Sequence, residues 1–206
     1  QFTPPYSLFS KKDYKSLYES SSRADREELY RWIEYYKIKF KSRVYTPLNN
    51  SEKYTLVLMG RADFGLLGSY NMYKQTPFET FHVGGDGMTG SYTYATETIG
   101  LRGYDNGALT PYSDGRAYTR FSMELHFPFL LQPSSTIYGL AFVEGGNAWT
   151  SLENFNPFSL KRSAGVGVRI FLPMIGLMGI DWAYGFDKVQ GEKGGGHFHF
   201  ILGQEF

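Results

Sequence analysis

The chain has no cysteine, which is compatible with an oxidising compartment and leaves thiol chemistry without a residue to perform it. It has no run approaching the roughly 18–20 apolar residues that a membrane-spanning helix requires, so a helical membrane protein is excluded. Neither charge is in excess, with 21 Lys and Arg against 20 Asp and Glu, which argues against a nucleic-acid partner. There is also no glycine-rich phosphate loop and no supported Ser/His/Asp arrangement, so we expect no enzymatic activity and no cofactor.

Aromatic residues and glycine are, by contrast, abundant, with 17 Tyr, 17 Phe and 24 Gly. Aromatic girdles and glycine bends are typical of membrane β-barrels. The slightly polar mean hydropathy fits such a barrel, because only alternate residues of its strands face lipid. No signal peptide is present, and since a barrel protein must be exported, we expect a mature, trimmed or partial chain.

The last ten residues alternate in a way that predicts a terminal β-strand. Its apolar face consists of Phe198, Phe200, Leu202 and Phe206. Its other face consists of His197, His199, Gly203 and Glu205. An apolar outer face on a terminal strand is an aggregation hazard in water, whereas an outer-membrane barrel needs such a face because it meets lipid.

Six further segments show the same period of two and predict strands. They are residues 35–46, 54–66, 116–128, 136–149, 164–172 and 178–186. Residues 1–9 resemble the end of another strand, stopped by two prolines. The polar segment 10–34 predicts one helix near 23–34, with Ser22 as its N-cap.

Short and long connections alternate between these strands. The short ones are 47–53, 129–135 and 173–177, and the long ones are 10–34, 67–115, 150–163 and 187–196. Outer-membrane barrels have this arrangement, with short periplasmic turns and long outer loops. The predicted fold is therefore all-β: the C-terminal half of a transmembrane antiparallel β-barrel, about seven to eight strands of about sixteen, with long outer loops and one short loop helix.

The longest loop contains the motif Leu101-Arg102-Gly103-Tyr104. Here the chain resembles the BamA-type outer-membrane insertases, whose superfamily includes TamA and the two-partner-secretion transporters and whose longest outer loop carries a hydrophobic-Arg-Gly-aromatic motif. Three more segments carry the resemblance: residues 77–85 in the same loop, the strand motif at 142–146 and the segment 163–169. The terminal strand, with its spaced aromatics and final Phe206, matches the family's targeting pattern.

The resemblance covers roughly residues 35–206, and the family's periplasmic POTRA domains are absent from this chain. It implies an outer-membrane factor of a diderm bacterium that folds and inserts other barrels without ATP, through a weak seam at the terminal strand. The implied partners are unfolded outer-membrane proteins, accessory lipoproteins and outer-membrane lipid or lipopolysaccharide. Residues 86–97 of the long loop do not align with the family pattern.

The motif also has a physical interpretation. An arginine on a loop that enters a barrel lumen needs an acidic partner, because an unpaired buried charge costs several kcal/mol. We expect Arg102 to pair with Glu144, with Gly103 permitting close backbone approach and Tyr104 packing beside the strands. Asp181 is a second acidic candidate.

Other residues have simpler interpretations. Arg169 is a further candidate for the same network, and Phe142 and Gly146 belong to the strand motif at 142–146. The row Lys37, Lys39, Lys41 and Arg43 predicts a solvated lumen face, with a lipopolysaccharide-facing patch as the alternative. His197 and His199 lack a convincing third ligand, so we predict no metal site.

Three alternatives remain open from the sequence. The first is a secretion transporter of the same superfamily, which passes polypeptide through its lumen. The second is a diffusion porin, in which Arg102 is dispensable. The third is an adhesin-like barrel, whose binding surface would be residues 86–97 and the helix near 23–34.

Overall fold

The computed structural model describes residues 1–51, 54–87, 96–110, 112, 114–132, 134–174, 176–189 and 194–203. Three helices come first: α1 (Tyr6–Phe9), α2 (Tyr14–Glu19) and α3 (Arg23–Tyr30). The strands follow: β1 (Tyr36–Pro47), β2 (Val57–Gly68), β3 (Thr80–Val83), β4 (Thr96–Ile99), β5 (Ala117–Gln132), β6 (Ser135–Trp149), β7 (Lys161–Leu172), β8 (Gly176–Gly185) and β9 (Gly196–Leu202). In the part of the chain thus described, no helix is long and apolar enough to cross a membrane.

Seven strands form one antiparallel sheet in the order β1-β2-β5-β6-β7-β8-β9. Paired strands are consecutive along the chain, except for β2 and β5. These two pair with each other across the long loop that contains β3 and β4. The prediction of an antiparallel barrel wall is confirmed, because all seven predicted strands lie in this sheet. The sheet is not closed, so β1 and β9 lie at its two edges.

The two faces of the sheet have opposite chemistry, as the alternation predicts. The outer face exposes large apolar side chains, which are Ile38, Phe40, Val44, Met123, Leu125, Phe127, Val143, Val166, Val168, Ile180, Trp182, Tyr184, Phe198, Phe200 and Leu202. The inner face carries buried polar side chains, which include Lys37, Asp63, Arg120, Glu124, Glu144, Arg169, Asp181 and His199. A wall that is apolar outside and polar inside suits lipid on one side and a polar lumen on the other.

The N-terminal segment differs from the prediction of a single helix. The helix predicted near 23–34 is shorter, since α3 ends at Tyr30, and α1 and α2 precede it. Asp13 caps α2 by accepting hydrogen bonds from backbone N–H groups, whereas Ser22 occupies the N-cap position of α3 without a side-chain hydrogen bond. The strand end predicted over residues 1–9 is confirmed only in part, because Phe2 forms an isolated antiparallel bridge with Tyr36 of β1 whereas Tyr6–Phe9 form α1.

The long loop folds into a small structure of its own. Strands β3 and β4, which the alternation pattern does not predict, pair in parallel within it. Phe81 and Val83 of β3 are buried against the inner face of the sheet, and the Phe81 ring lies 4.7 Å from that of Tyr118 on β5. The loop is therefore packed against the wall through an apolar core. Residues 88–95 of the unaligned segment 86–97 lie outside the described residues.

Candidate functional site

The loop motif follows β4 directly and is held by backbone hydrogen bonds. Leu101 and Gly85 exchange N–H···O bonds of 3.0 and 3.1 Å, which form an isolated bridge beyond the β3–β4 pair. Leu101 is fully buried, and Gly146 of β6 lies against it, because a Cβ built on that glycine would stand 3.1 Å from Leu101 Cδ1. The small residue at 146 thus gives the loop room to approach the wall.

Arg102 is fully buried and meets carboxylates from three strands of the inner face. Its Nη2 lies 2.6 Å from Glu144 Oε1 on β6 and also contacts Glu124 on β5, and its Nη1 lies 3.0 Å from Asp181 Oδ2 on β8. The backbone N–H of Arg102 donates to Glu144 Oε2 at 2.9 Å. The structure thus brings Arg102 together with both acidic residues that the sequence indicated, and adds Glu124.

Two further side chains named from the sequence complete this cluster. The Phe142 ring lies beneath the guanidinium, with Arg102 Cζ 3.5 Å from the ring centroid, which is a cation–π distance. Arg169 on β7 donates to Asp181 Oδ2 at 2.7 Å, so Asp181 is shared by two arginines. Because buried charges require paired and hydrogen-bonded surroundings, this cluster can hold the loop in one place.

Gly103 occupies a position that a side chain would not fit. Its φ is +88°, and a Cβ would lie 2.8 Å from the Cβ of Ser163 and 3.0 Å from the backbone N of Gly185. Its own N–H donates to Nε2 of His199 on β9 at 2.9 Å. The motif therefore contacts the terminal strand directly, a contact that the alternation of histidines in the sequence does not reveal.

Tyr104 ends the motif beside the upper ends of β7 and β8. Its hydroxyl donates to the carbonyl oxygen of Arg162 at 2.6 Å. Burial raises the pKa of the Tyr104 hydroxyl to about 12. The neighbouring Asp187 forms an exposed ion pair with Arg162, whose hydrogen bonds hold the pKa of that carboxyl below its usual value.

A second set of ion pairs joins the loop to β1. Lys37 is buried, and its Nζ lies 2.9 Å from Glu79 Oε2 and 3.1 Å from Glu97 Oε2. Lys39 Nζ is 3.0 Å from Glu97 Oε2. These lysines do lie on the inner face, but the expectation of a simply solvated row is wrong for Lys37, because Glu79 and β4 cover it.

A third contact involves β2 and β5. Nη2 of Arg120 lies 2.8 Å from Asp63 Oδ2, and Nη1 of Arg120 donates to the carbonyl oxygen of Gly100, just before the motif. Arg61 also pairs with Asp63 at 2.8 Å. The sequence indicated these contacts only through charged residues at inward-facing strand positions. It could not indicate which loop atoms they bind, because those contacts depend on the tertiary fold.

The terminal strand β9 has the predicted faces, with Phe198, Phe200 and Leu202 exposed on the outside. Phe206 lies outside the described residues. Gly203 has a φ of +71° and donates its N–H to Leu177 O at 2.6 Å, next to the short β7–β8 turn. Gly203 therefore lies at the end of β9 opposite the long loops.

No group of three or more His, Asp or Glu side chains suited to a metal ion occurs within the described ranges. The charged groups nearest the motif bind each other, so the site's chemistry is that of an electrostatic lock. We use "arginine lock" for Arg102 with Glu124, Glu144 and Asp181.

An amphipathic antiparallel wall with a long loop locked against its polar face defines an outer-membrane barrel of the kind whose longest loop enters the lumen. Residues 21–206 match the Omp85 superfamily domain, and the chain belongs to that superfamily of outer-membrane insertases and transporters. Its fold is similar to that of BamA from Haemophilus ducreyi lacking POTRA domains 1–3, with a TM-score of 0.55 and 20% identity over 81% of this chain. The match spans 34% of that BamA chain.

Proposed function

We propose that this chain is the C-terminal part of a BamA-like factor that inserts β-barrel proteins into the outer membrane. The observation that carries the proposal is the arginine lock, which joins the long loop to β5, β6 and β8 at a fully buried guanidinium. Maintaining one buried cation among three carboxylates is costly unless the geometry is fixed, so the loop is held rigidly beside the last strands. No bond chemistry is assigned to these residues, and the factor is not an enzyme.

The terminal strand supplies the other half of the proposal. Within the described residues, β9 is the shortest strand of the seven-stranded sheet, with seven residues, and it pairs with β8 along one edge. In the full barrel its other edge would meet the first strand, and we place the seam there. An incoming client strand would add to β9 at this seam by β-augmentation.

The proposed partners follow from that step. Unfolded outer-membrane proteins would present their own terminal strands to β9, and the exposed aromatic face of Phe198 and Phe200 would meet outer-membrane lipid or lipopolysaccharide. Accessory lipoproteins, expected from the family resemblance, belong to the same proposal.

The test is an engineered crosslink in the full-length protein between β9 and the first strand of its barrel. Cysteines are absent from these 206 residues, so an engineered thiol at β9 is unambiguous here. We expect the oxidised crosslink to abolish insertion of a barrel client into proteoliposomes and reduction to restore it. Unchanged insertion with the seam closed would contradict the proposal.

The same crosslinked protein distinguishes an insertase from a secretion transporter of the same superfamily. It would move its polypeptide through the lumen with the seam closed, so crosslinking would leave secretion intact. Substitution of Arg102 would also distinguish an insertase from a diffusion porin. A variant that lacks Arg102 but keeps its barrel stability and conducts steadily would indicate a passive channel.

A further inference from the structure

We infer that His199 is a positioning residue that couples the arginine lock to the seam strand β9. The inference rests on the proposed function and adds to it a specific link between the loop and the strand that receives the client. Gly103 follows Arg102 directly, and its N–H donates to His199 Nε2 at 2.9 Å in a buried contact.

The hydrogen bond fixes the chemistry of the ring. A backbone N–H is always a donor, so Nε2 of His199 must accept, and the imidazole is neutral at that nitrogen with its proton on Nδ1. The same nitrogen cannot also coordinate a metal ion, and the ring cannot be an imidazolium while the contact persists. His199 is thus used as a fixed acceptor.

The position of His199 in the sheet explains why the contact matters. It is the direct partner of Asp181 across the β8–β9 pair, and Asp181 accepts from Arg102. Two adjacent residues of the loop therefore bind two adjacent strands, Arg102 through its side chain and Gly103 through its backbone. The last strand is held to the loop from the inside as well as to β8 along its edge.

This arrangement gives the loop a direct effect on the seam. The backbone ladder holds β9 to β8 along one edge, and the His199 contact at the middle of β9 holds the strand from its inner face. The loop thereby sets the angle at which β9 presents its other edge to a client.

A nearby pair serves as an internal comparison. His197, two residues earlier on the same face, has Nδ1 at 3.2 Å from Asp105 Oδ1. Their side chains are 28% and 79% exposed. An exposed pair of this kind contributes little, so the buried His199 contact is the one that positions β9.

The experiment uses three variants of the full-length protein, His199→Phe, His199→Gln and His197→Gln. Phenylalanine retains a ring of similar size but has no acceptor. Glutamine places its Oε1 as many bonds from the backbone as Nε2 and can accept from Gly103. His197→Gln is the matched control on the same strand.

Two readouts are measured in the same samples. The first is the distance distribution, by pulsed electron paramagnetic resonance, between spin labels on β9 at Phe198 and on the first strand of the barrel. The second is the initial rate of insertion of a barrel client into proteoliposomes. We expect His199→Phe to broaden the distribution and slow insertion about fivefold, as loss of one buried neutral hydrogen bond predicts. We expect His199→Gln to restore both, and His197→Gln to match the unaltered protein.

Other outcomes overturn the inference. A His199→Phe variant identical to the unaltered protein would show that the contact does not position β9. A His199→Gln variant as impaired as His199→Phe would show that the ring's shape is what matters. If the unaltered protein inserts no client, the proposed function fails, while the distance distributions still decide whether His199 holds the strand.

A measurement on the unaltered protein protects the test against a variant that does not fold. The ¹⁵N shifts of the His199 ring distinguish its tautomers at neutral pH. A protonated Nδ1 with an accepting Nε2 supports the inference, whereas a protonated Nε2 contradicts it.

Discussion

Replacing Arg102 by methionine would test the arginine lock most directly. Methionine retains an unbranched stem but leaves three carboxylates without the buried cation. Asp181 keeps Arg169 as a partner and Glu124 keeps His126 at 2.8 Å, so the loss falls mainly on Glu144. Breaking a buried pair in this way costs about 3–5 kcal/mol, equivalent to a factor of roughly 10²–10⁴ between docked and undocked loop.

Hydrogen exchange of the full-length protein in nanodiscs measures that equilibrium. We expect Arg102→Met to raise exchange throughout residues 96–104 by the same factor, while the sheet remains protected. Arg162→Met is the matched control, because Arg162 is 69% exposed and its pair with Asp187 should contribute less than about 1 kcal/mol. If residues 96–104 of Arg102→Met stay as protected as in the unaltered protein, the loop is held by its apolar core, and the electrostatic argument is wrong.

The number of carboxylates also predicts the result of a charge exchange. Combining Arg102→Glu with Glu144→Arg restores one ion pair but places the new carboxylate beside Glu124 and Asp181. We therefore expect the double variant to recover only part of the loop protection. Full recovery, measured by the same exchange experiment, would show that Arg102 is bound chiefly by Glu144.

Three further predictions concern the surroundings of the lock. Gly103→Ala should destabilise the docked loop by more than about 1 kcal/mol, because φ is +88° and the new Cβ would collide with Ser163. Faster hydrogen exchange of residues 96–104 would show this destabilisation. Lys37→Met should raise exchange in β3 and β4 and leave the 101–104 motif protected, since it removes the cation shared by both loop glutamates. The pKa of Asp187 is lowered in the folded protein by its hydrogen bonds with Arg162. The small stabilising effect of this pair should therefore be fully present above the ordinary pKa of the carboxyl group and be lost as the pH falls through the lowered pKa. An acid titration of the stability of Asp187→Asn against that of the unaltered protein would detect the difference.

The wall of the barrel was predictable from the sequence because its signal is local. Each strand alternates lipid-facing and lumen-facing residues, so segments such as 178–186 identify themselves without knowledge of their neighbours. The helices near the N-terminus were less predictable. Asp13 caps a six-residue helix whose amphipathic signal is too short to recognise, and α3 ends at Tyr30, earlier than its polar surroundings suggested.

The lock was predictable only in part. A buried-arginine argument and a family motif indicated Arg102, Glu144 and Asp181, whereas Glu124 looked like any inward-facing polar residue of β5. The β3–β4 pair was missed because it is parallel and only four residues long, so neither turn signals nor alternation mark it. The contact between Gly103 and His199 joins residues 96 apart and depends on the whole sheet being assembled.

These sequence separations impose an order on folding. Arg102 is 22 residues from Glu124, 42 from Glu144 and 79 from Asp181, so the guanidinium can contact all three carboxylates only after β8 has joined β7. Closing so large a loop is entropically costly before the strands are in place, and such long-range contacts form slowly. The complete arginine lock is therefore one of the last parts of this sheet to form, and a chain stalled before β8 would hold its longest loop without the Asp181 contact.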